Sequence, residues 1–138
     1  MERIDQLEPQ LHVWVTINRE DLIEKGRTVT AAQCIEIRRH QQRFRQEMNA
    51  LCQTVDALLT PSIPAPAPKG LMSMGDPTFN GPASFSGIPS FGLPSGVSNN
   101  GLPFAIQLMS GAFTEERLVA VGKWCEGMLD FRQTPPLG

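Results

Sequence analysis

The stretch 87–109, GIPSFGLPSGVSNNGLPFAIQLM, decides the fold of this 138-residue chain. One apolar run ends near Pro94, the chain passes through Asn100-Gly101, and a second apolar run follows. Asn100-Gly101 supplies the positive φ angles that a tight turn demands. Because side chains alternate along a strand, the pattern predicts a hairpin of strands over 90–95 and 103–109. The expected core face of the hairpin carries Phe91, Leu93, Phe104, Ile106 and Leu108.

Changes of hydrophobic period on either side of the hairpin predict a mixed α/β domain with helices packed on a small sheet. The predicted elements, in chain order, are a short helix over 1–9, a strand over 11–17, a long helix over about 31–54 capped by Thr30, a short strand over 57–60, the hairpin, and a helix capped by Thr114 that ends near Asp130. A helical interpretation of 11–17 is possible but weaker, because β-branched and aromatic residues fill it. The tract 61–89 is dense in Pro, Gly and Ser, which fits either a disordered linker or an ordered surface loop.

Both longer helices are expected to bury one apolar face. The apolar positions of the long helix are Cys34, Ile35, Phe44, Met48, Leu51 and Val55. Those of the last helix are Leu118, Val121, Cys125, Met128 and Leu129. The middle of the long helix, 38–45, is crowded with Arg, His and Gln, and we expect a solvated face there rather than a phosphate site.

Composition indicates one soluble globular domain over 1–138 with a frayed tail at 132–138. The chain is 41% hydrophobic and 19% charged, and its net charge of -2 offers no general attraction to nucleic acid or anionic membrane. No apolar run approaches the roughly 18 residues of a membrane span, and the charged N-terminus is unlike a signal peptide. Three cysteines in helix-like contexts are expected to be buried reduced thiols, which fits a cytoplasmic setting.

From its residues alone, the sequence shows no recognisable active site. His12 and His40 have no metal-ligand neighbour at useful spacing, and no CxxC, HExxH, EF-hand, phosphate-loop, GxGxxG or GxSxG motif occurs. We therefore expect no metal and no cofactor. Lys69, in the Pro-rich tract, is a better candidate for a catalytic base than Lys123, which is expected to be a solvated side chain.

Three runs, taken in order, resemble the C-terminal part of the amidase-signature hydrolases. They are VDALLTPSIPAPAP at 55–68, GPASFSGIPSFGLPSG at 81–96 and GLPFAIQLMSGAFTEERLVAVGKWCE at 101–126. The family ends with an LLTP strand, a Pro-rich loop, a Gly- and Pro-rich hairpin and a helix opened by an acidic pair. This chain departs from that pattern at Phe104-Ala105, where the family has a small aliphatic residue and Gly, and at 72–76, which only loosely resembles the family's Thr-Gly step.

A second similarity lies at the start of the chain, where ERIDQLEPQLHVWVTINRE at 2–20 is similar to the N-terminal region of the same enzymes. The two similarities imply an N-terminal segment over 1–27 and a C-terminal segment over 28–131, with a seam near 19–27. The family's Ser–cis-Ser–Lys triad lies in the region between those segments, and no position of this sequence matches it. The resemblance thus implies an amide C–N hydrolase fold that is not catalytically competent as this chain alone.

The resemblance also carries expectations about ligands and assembly. A possible substrate-side loop is formed by Pro61, Ser62, Ile63, Pro64 and Phe79, which would meet a small-molecule amide only if the catalytic part is supplied. The alternative function is a non-enzymatic binding or assembly module. Because loss of the central strands would expose sheet edges, we expect a homodimer with 11–17 at or near the interface, rather than a monomer that covers its own sheet.

Overall fold

The computed structural model describes residues 19–68 and 75–134, with side chains from residue 23 onward. The predicted helix over 1–9, the predicted strand over 11–17, and His12 and Lys69 lie outside the described residues. The described elements, in chain order, are α1 Arg19–Thr28, α2 Ala31–Cys52, β1 Leu58–Pro61, α3 Gly81–Ser86, β2 Ser90–Val97, β3 Pro103–Met109 and α4 Glu115–Leu129. The fold is mixed α/β, as predicted, with α1 and α3 as helices that the sequence interpretation did not include.

The long helix α2 begins where the sequence predicts it. The side chain of Thr30 accepts a hydrogen bond from the Gln33 amide at 3.3 Å, and the Gln33 side chain accepts one from the Thr30 amide at 2.9 Å. This reciprocal capping box satisfies two amide groups that the first turn leaves without helical partners. The prediction of Thr30 as the cap is confirmed, and the helix ends at Cys52.

The hairpin is also confirmed, and it forms the centre of an antiparallel sheet with the order β1-β3-β2. Leu93 of β2 lies opposite Ile106 of β3, with a bulge between Pro94 and Gly96. At the tip, Gly101 has φ +78 and its amide donates to the Ser98 carbonyl at 2.9 Å. Of the predicted Asn100-Gly101 pair, only the glycine adopts a positive φ, so the turn is not of the two-residue type with both angles positive.

A separate cluster of buried side chains covers each face of the sheet. On one face, Leu108 packs with Leu118 and Cys125 of α4, and Phe91 and Leu93 lie partly buried beside them. The next residue along β3, Met109, points to the opposite face because side chains alternate along a strand. There it packs with Cys52, Ala83 and Ile88 from α2, α3 and the segment that follows α3. The sheet is therefore the middle layer between α4 and the α2–α3 pair.

Several expected core positions are exposed, and those predictions are wrong. They are Cys34, Ile35, Leu51 and Val55 in or just after α2, Phe104 at the start of β3, and Met128 in α4. The 22-residue α2 is much longer than the 6-residue α3 that packs on it, so only part of its apolar residues find a neighbour. Phe104 lies beyond the bulge, opposite Gly96, at the end of the sheet near the hairpin tip.

The polar middle of α2 is not simply a solvated face, because α3 packs against it. Arg45 Nε donates to the Ser86 carbonyl at 2.7 Å, and Gln41 Nε2 donates to the Phe85 carbonyl at 3.0 Å. The Phe85 ring also lies 5.7 Å from the His40 ring, centroid to centroid. These side chains bind the last carbonyls of α3, which a short helix leaves without internal partners. The expectation of a fully solvated face is corrected here.

Thr114 stands at the N-cap of α4, but its hydroxyl does not cap the helix. The hydroxyl lies 2.7 Å from the Gly111 carbonyl and 2.8 Å from Ser110 Oγ, so it is turned back toward the preceding turn. The predicted capping role of its side chain is therefore wrong. Glu115 and Glu116 do occupy the first turn of α4, as expected near the positive end of a helix.

Candidate functional site

The predicted substrate-side loop leaves the sheet directly after β1. Pro61 is the last residue of β1, and the Ser62 amide donates to the Ala105 carbonyl of β3 at 2.9 Å. Ser62 and Ile63 are half-buried, whereas Pro64 is exposed. Backbone pairing with β3 thus fixes the start of the loop before the chain turns away from the sheet.

Phe79, the fifth predicted residue of that loop, lies in the turn that leads into α3. The amide of Asn80 donates to the Pro77 carbonyl at 2.8 Å, which closes this turn, and the Phe79 side chain is half-buried. No described contact joins Phe79 to Ser62. The grouping of Pro61 to Pro64 with Phe79 as a substrate-side surface therefore stays a prediction.

A shallow cleft of about 410 Å³ opens between α3 and the start of α4. It is lined by Ala83, Ser84, Gly87, Ile88, Pro89, Ser90, Ala112, Phe113 and Glu115. Ser84 and Ser90 supply hydroxyls and Glu115 supplies a carboxylate, but no hydrogen bond among the described residues joins that carboxylate to either hydroxyl, and the lining contains no lysine or histidine. The described lining of the cleft therefore has no activated nucleophile.

Phe113 at the edge of this cleft is the most exposed large apolar side chain described. It is 94% exposed and has φ +61, a conformation that a side-chain-bearing residue seldom adopts. Sequence reasoning missed it, because an exposed aromatic residue in a strained turn leaves no periodic signal.

The cysteines differ in their surroundings. Cys52 and Cys125 are buried, but Cys34 is exposed, so the prediction of three buried thiols is wrong for Cys34. Burial raises the pKa of the Cys52 thiol above its ordinary value, and the nearby Arg117 guanidinium opposes this only partly. Arg117 Nη2 donates to the Cys52 carbonyl at 3.3 Å. A buried thiol with a raised pKa stays protonated, and it is a poor nucleophile.

The remaining candidate groups form no reactive cluster in the described residues. Lys123 is exposed on α4, as expected, and His40 lies against Phe85. Within residues 19–68 and 75–134, no three His, Cys, Asp or Glu side chains come together in a way that could hold a metal ion. None of the helices in the described part of the chain has the length and apolar character needed to cross a membrane.

Sequence reasoning also missed a pair of polar residues inside the sheet. Thr60 of β1 lies opposite Gln107 of β3, and Gln107 is buried. The available signal was a polar residue at an inward position of each apolar strand, in LLTP and in FAIQLM. Without the strand register, nothing indicated that the two positions face each other.

Comparison with known proteins identifies relatives of this chain. The family model described as Amidase matches residues 5–119, which includes the predicted seam at 19–27. The chain is 35% identical over 102 residues to the A subunit of glutamyl-tRNA(Gln) amidotransferase from Prochlorococcus marinus strain MIT 9313, covering 69% of this chain and 21% of that protein. The corresponding protein of Granulibacter bethesdensis is 35% identical over 92 residues, which is 62% of this chain and 18% of that protein. The chain thus spans about a fifth of the length of these relatives.

Solved structures show the same fold. The structure of 6-aminohexanoate cyclic dimer hydrolase superposes with a TM-score of 0.71 at 18% identity, covering 85% of this chain and 28% of that one. The crystal structure of an amidase superposes with a TM-score of 0.70 at 24% identity, covering 81% of this chain and 29% of that one. The three-run resemblance in the sequence, the match of the family model and the shared fold agree. This chain belongs to the amidase family.

Proposed function

We propose that the chain is an amidase-family scaffold that hydrolyses no amide bond on its own. One observation carries the proposal, namely that no position of the sequence matches the family's Ser–cis-Ser–Lys triad. In that triad one serine attacks the amide carbonyl, the second serine relays a proton, and the lysine is the final base. A chain without these groups retains a fold that can support an acyl-transfer site but has no nucleophile to form the acyl-enzyme.

The hydrogen bonds of the serines and lysines support this proposal. The Ser86 hydroxyl donates to the Pro82 carbonyl at 2.7 Å, so it serves the end of α3. Lys25 and Lys123 are exposed, and neither hydrogen-bonds a serine in the described part of the chain. The predicted substrate-side loop, Pro61 to Pro64 with Phe79, would contact a small-molecule amide only if the catalytic part is supplied.

The test is turnover of a simple aryl amide by the purified full chain, compared with the uncatalysed rate. We expect no turnover above that rate, and no change on substitution of Ser62→Ala or Lys69→Ala. Lys25→Ala is the matched control for Lys69, because it removes one lysine at a site outside the Pro-rich tract. Steady turnover that either test substitution abolishes, and that Lys25→Ala leaves intact, would show that the chain assembles a site of its own.

A second candidate function is assembly, and we propose a homodimer in a cytoplasmic setting. The observation that favours it is an outward apolar stripe on α4, where Trp124 is 67% exposed and Met128 is 70% exposed. These residues are four apart in sequence, so they lie on one side of the helix. The described sheet also ends in two edges, β1 and β2, and unpaired edges favour association.

Sedimentation velocity over a wide concentration range tests the dimer. We expect a concentration-dependent dimer that Trp124→Gln weakens, whereas Lys123→Gln, one residue away on the same helix, leaves it unchanged. A monomer at the highest concentration would contradict the dimer. Fluorescence of a buried indole in Trp124→Gln, where Trp14 is the remaining tryptophan, would then favour a chain that covers its own sheet.

A further inference from the structure

A buried polar row crosses the sheet on the face opposite α4. Thr60 of β1 lies directly opposite Gln107 of β3, which in turn lies opposite Gly92 of β2. Leu108, the next residue of β3, packs on α4, so Gln107 points to the other face. Directly opposed side chains of antiparallel strands share a face, with Cβ atoms roughly 4.5–5.5 Å apart. Thr60 and Gln107 are therefore immediate neighbours.

Ser62 joins this row from the start of the substrate-side loop. It follows Thr60 by two residues, and its amide continues the pairing with β3 by donating to the Ala105 carbonyl. Its Oγ lies 3.4 Å from the position that a Cβ on Gly92 would occupy. Because Gly92 has no side chain, the Ser62 hydroxyl can lie over the β2 side of Gln107, while Thr60 flanks Gln107 on the β1 side.

Three oxygen atoms of this row are sealed from solvent without a hydrogen-bond partner among the described residues. They are Thr60 Oγ1, Ser62 Oγ and Gln107 Oε1. Gln107 as a whole is only 5% exposed. Buried polar atoms in folded proteins nearly always have a partner, because leaving one unpaired forfeits the hydration it had in the unfolded chain. Three such atoms in one row indicate that a single bound molecule is hydrogen-bonded to all of them.

We propose that this row binds one internal water molecule that is hydrogen-bonded to Thr60 Oγ1, Ser62 Oγ and Gln107 Oε1. Buried waters typically make about three hydrogen bonds to protein groups that lack other partners. The water can donate its two protons to Gln107 Oε1 and Thr60 Oγ1 and accept the proton of the Ser62 hydroxyl. The bound molecule must be small because all three oxygen atoms are buried from solvent. It must be neutral because three uncharged oxygens cannot replace the hydration of an ion.

The proposed water has a defined structural role. It connects Ser62, the first residue after β1, to the central strand β3 through side chains, in addition to the backbone hydrogen bond between Ser62 and Ala105. The loop is thus held to the sheet at two points. This anchoring requires no catalytic activity and holds whether or not the chain acts as a hydrolase scaffold.

Thermal unfolding of Thr60→Val in the full chain tests the proposal by the sign of the effect. Valine has the shape of threonine, so it removes the hydroxyl and leaves the packing intact. If the hydroxyl binds the water, we expect Tm to fall by about 3–5 °C, or roughly a fivefold loss in the folding equilibrium constant. If the hydroxyl has no partner, Thr60→Val should instead raise Tm, because the substitution removes a buried polar atom that forms no hydrogen bond. An unchanged or higher Tm would overturn the proposal.

The matched control is Thr54→Val. Thr54 is exposed and its hydroxyl donates to the Leu51 carbonyl at 2.7 Å, so we expect a smaller change in Tm. Ser62→Ala tests whether one water is bound by both hydroxyls. If it is, the double variant with Thr60→Val should lose less stability than the sum of the losses in the two single variants. Strict additivity of the two losses would contradict a single water bound by both hydroxyls.

A measurement on the unsubstituted chain decides the question even if a variant fails to fold. A nuclear Overhauser cross-peak between water and the Thr60 methyl group, with the sign of a long-lived complex, is the expected result. Absence of that cross-peak, when the exposed Thr54 methyl group shows only the signature of fast surface water, would overturn the proposal.

Discussion

Substitution of Gly122 tests how closely α4 lies against the sheet. A Cβ placed on Gly122 would lie 2.0 Å from Phe91 Cζ and 2.7 Å from Phe91 Cε2. Carbon atoms in contact are about 3.5–4.0 Å apart, so the added methyl group of Gly122→Ala intrudes by roughly 1.5 Å. Either α4 must move away from the sheet, or the Phe91 ring must leave its place beside Leu108 and Leu118.

Two opposed effects determine the size of the change. Alanine in a helix interior is favoured over glycine by about 1 kcal/mol. Overpacking a core costs about 1–3 kcal/mol, and occasionally more when the neighbour is rigid. Phe91 is a planar ring packed against a buried cluster, so we place the cost at the upper end of that range. The expected net loss in the free energy of unfolding is about 1–2 kcal/mol, which lowers Tm by roughly 3–8 °C.

The assay is thermal unfolding followed by circular dichroism, with Gly127→Ala as the matched control. Gly127 lies in the same helix, but a Cβ there meets nothing within 4 Å. That control should therefore raise stability by up to about 1 kcal/mol through helix propensity alone. In the Gly122→Ala background, Phe91→Leu should restore part of the loss, because it removes the ring atoms that the methyl group would meet. If Gly122→Ala raises Tm as Gly127→Ala does, α4 does not approach Phe91 as closely as described.

Three further predictions concern the turn, the cap and the buried thiol. Gly101→Val should lower the free energy of unfolding by about 1 kcal/mol or more. Open space surrounds the residue, so the cost comes from its φ of +78, which a side-chain-bearing residue seldom adopts. An unchanged melting curve would place the turn elsewhere. Thr30→Ala should cost about 1 kcal/mol in the same assay through loss of the capping box, while Thr28→Ala, whose exposed hydroxyl bonds only the Lys25 carbonyl, should cost less. Burial raises the pKa of Cys52 above its ordinary value of 9.0, so the folded chain holds the thiol proton more tightly than the unfolded chain. The free energy of unfolding should therefore fall as the pH rises above about 9, where the unfolded thiol ionises first. The loss should be smaller in Cys52→Ala, and a thiol reagent should modify Cys34 before Cys52; equal rates would contradict the assigned burial.

Local signals explain why the hairpin and the start of α2 were predictable. The turn residue Gly101 and the alternation of apolar residues on both sides of it specify one pairing of neighbouring strands. Thr30 and Gln33 form their capping box within four residues of chain. Neither feature depends on distant parts of the molecule.

Features that depend on distant neighbours were not predictable. Ile35 and Leu51 belong to the apolar pattern of α2, but they are exposed because the short α3 covers only part of that helix. The helix α3 itself lies in a tract dense in Pro, Gly and Ser, where hydrogen bonds from Gln41 and Arg45 stabilise its end. Those donors lie about 40 residues away in the sequence.

The candidate site likewise has features that the local sequence predicts and features that depend on distant neighbours. The family resemblance indicated the loop after β1 and the absence of the triad, because short sequence motifs are enough to recognise the loop and to search for the triad. The polar row needed the register that sets Thr60 opposite Gln107, and the absence of a side chain at Gly92, which leaves room for the Ser62 hydroxyl. A single sequence does not specify either of these relations.

Covalent labelling with a fluorophosphonate, followed by intact mass spectrometry of the full chain, tests the central claim most directly. A fluorophosphonate reacts with serines that a neighbouring base activates, and it spares ordinary hydroxyls. We expect the mass to remain that of the unmodified chain after prolonged incubation, while a competent serine hydrolase in the same tube is labelled fully. A stoichiometric mass increase of one adduct, which peptide mapping places on a single serine and which does not form when the chain is heat-denatured before incubation, would contradict the account of a catalytically silent amidase scaffold.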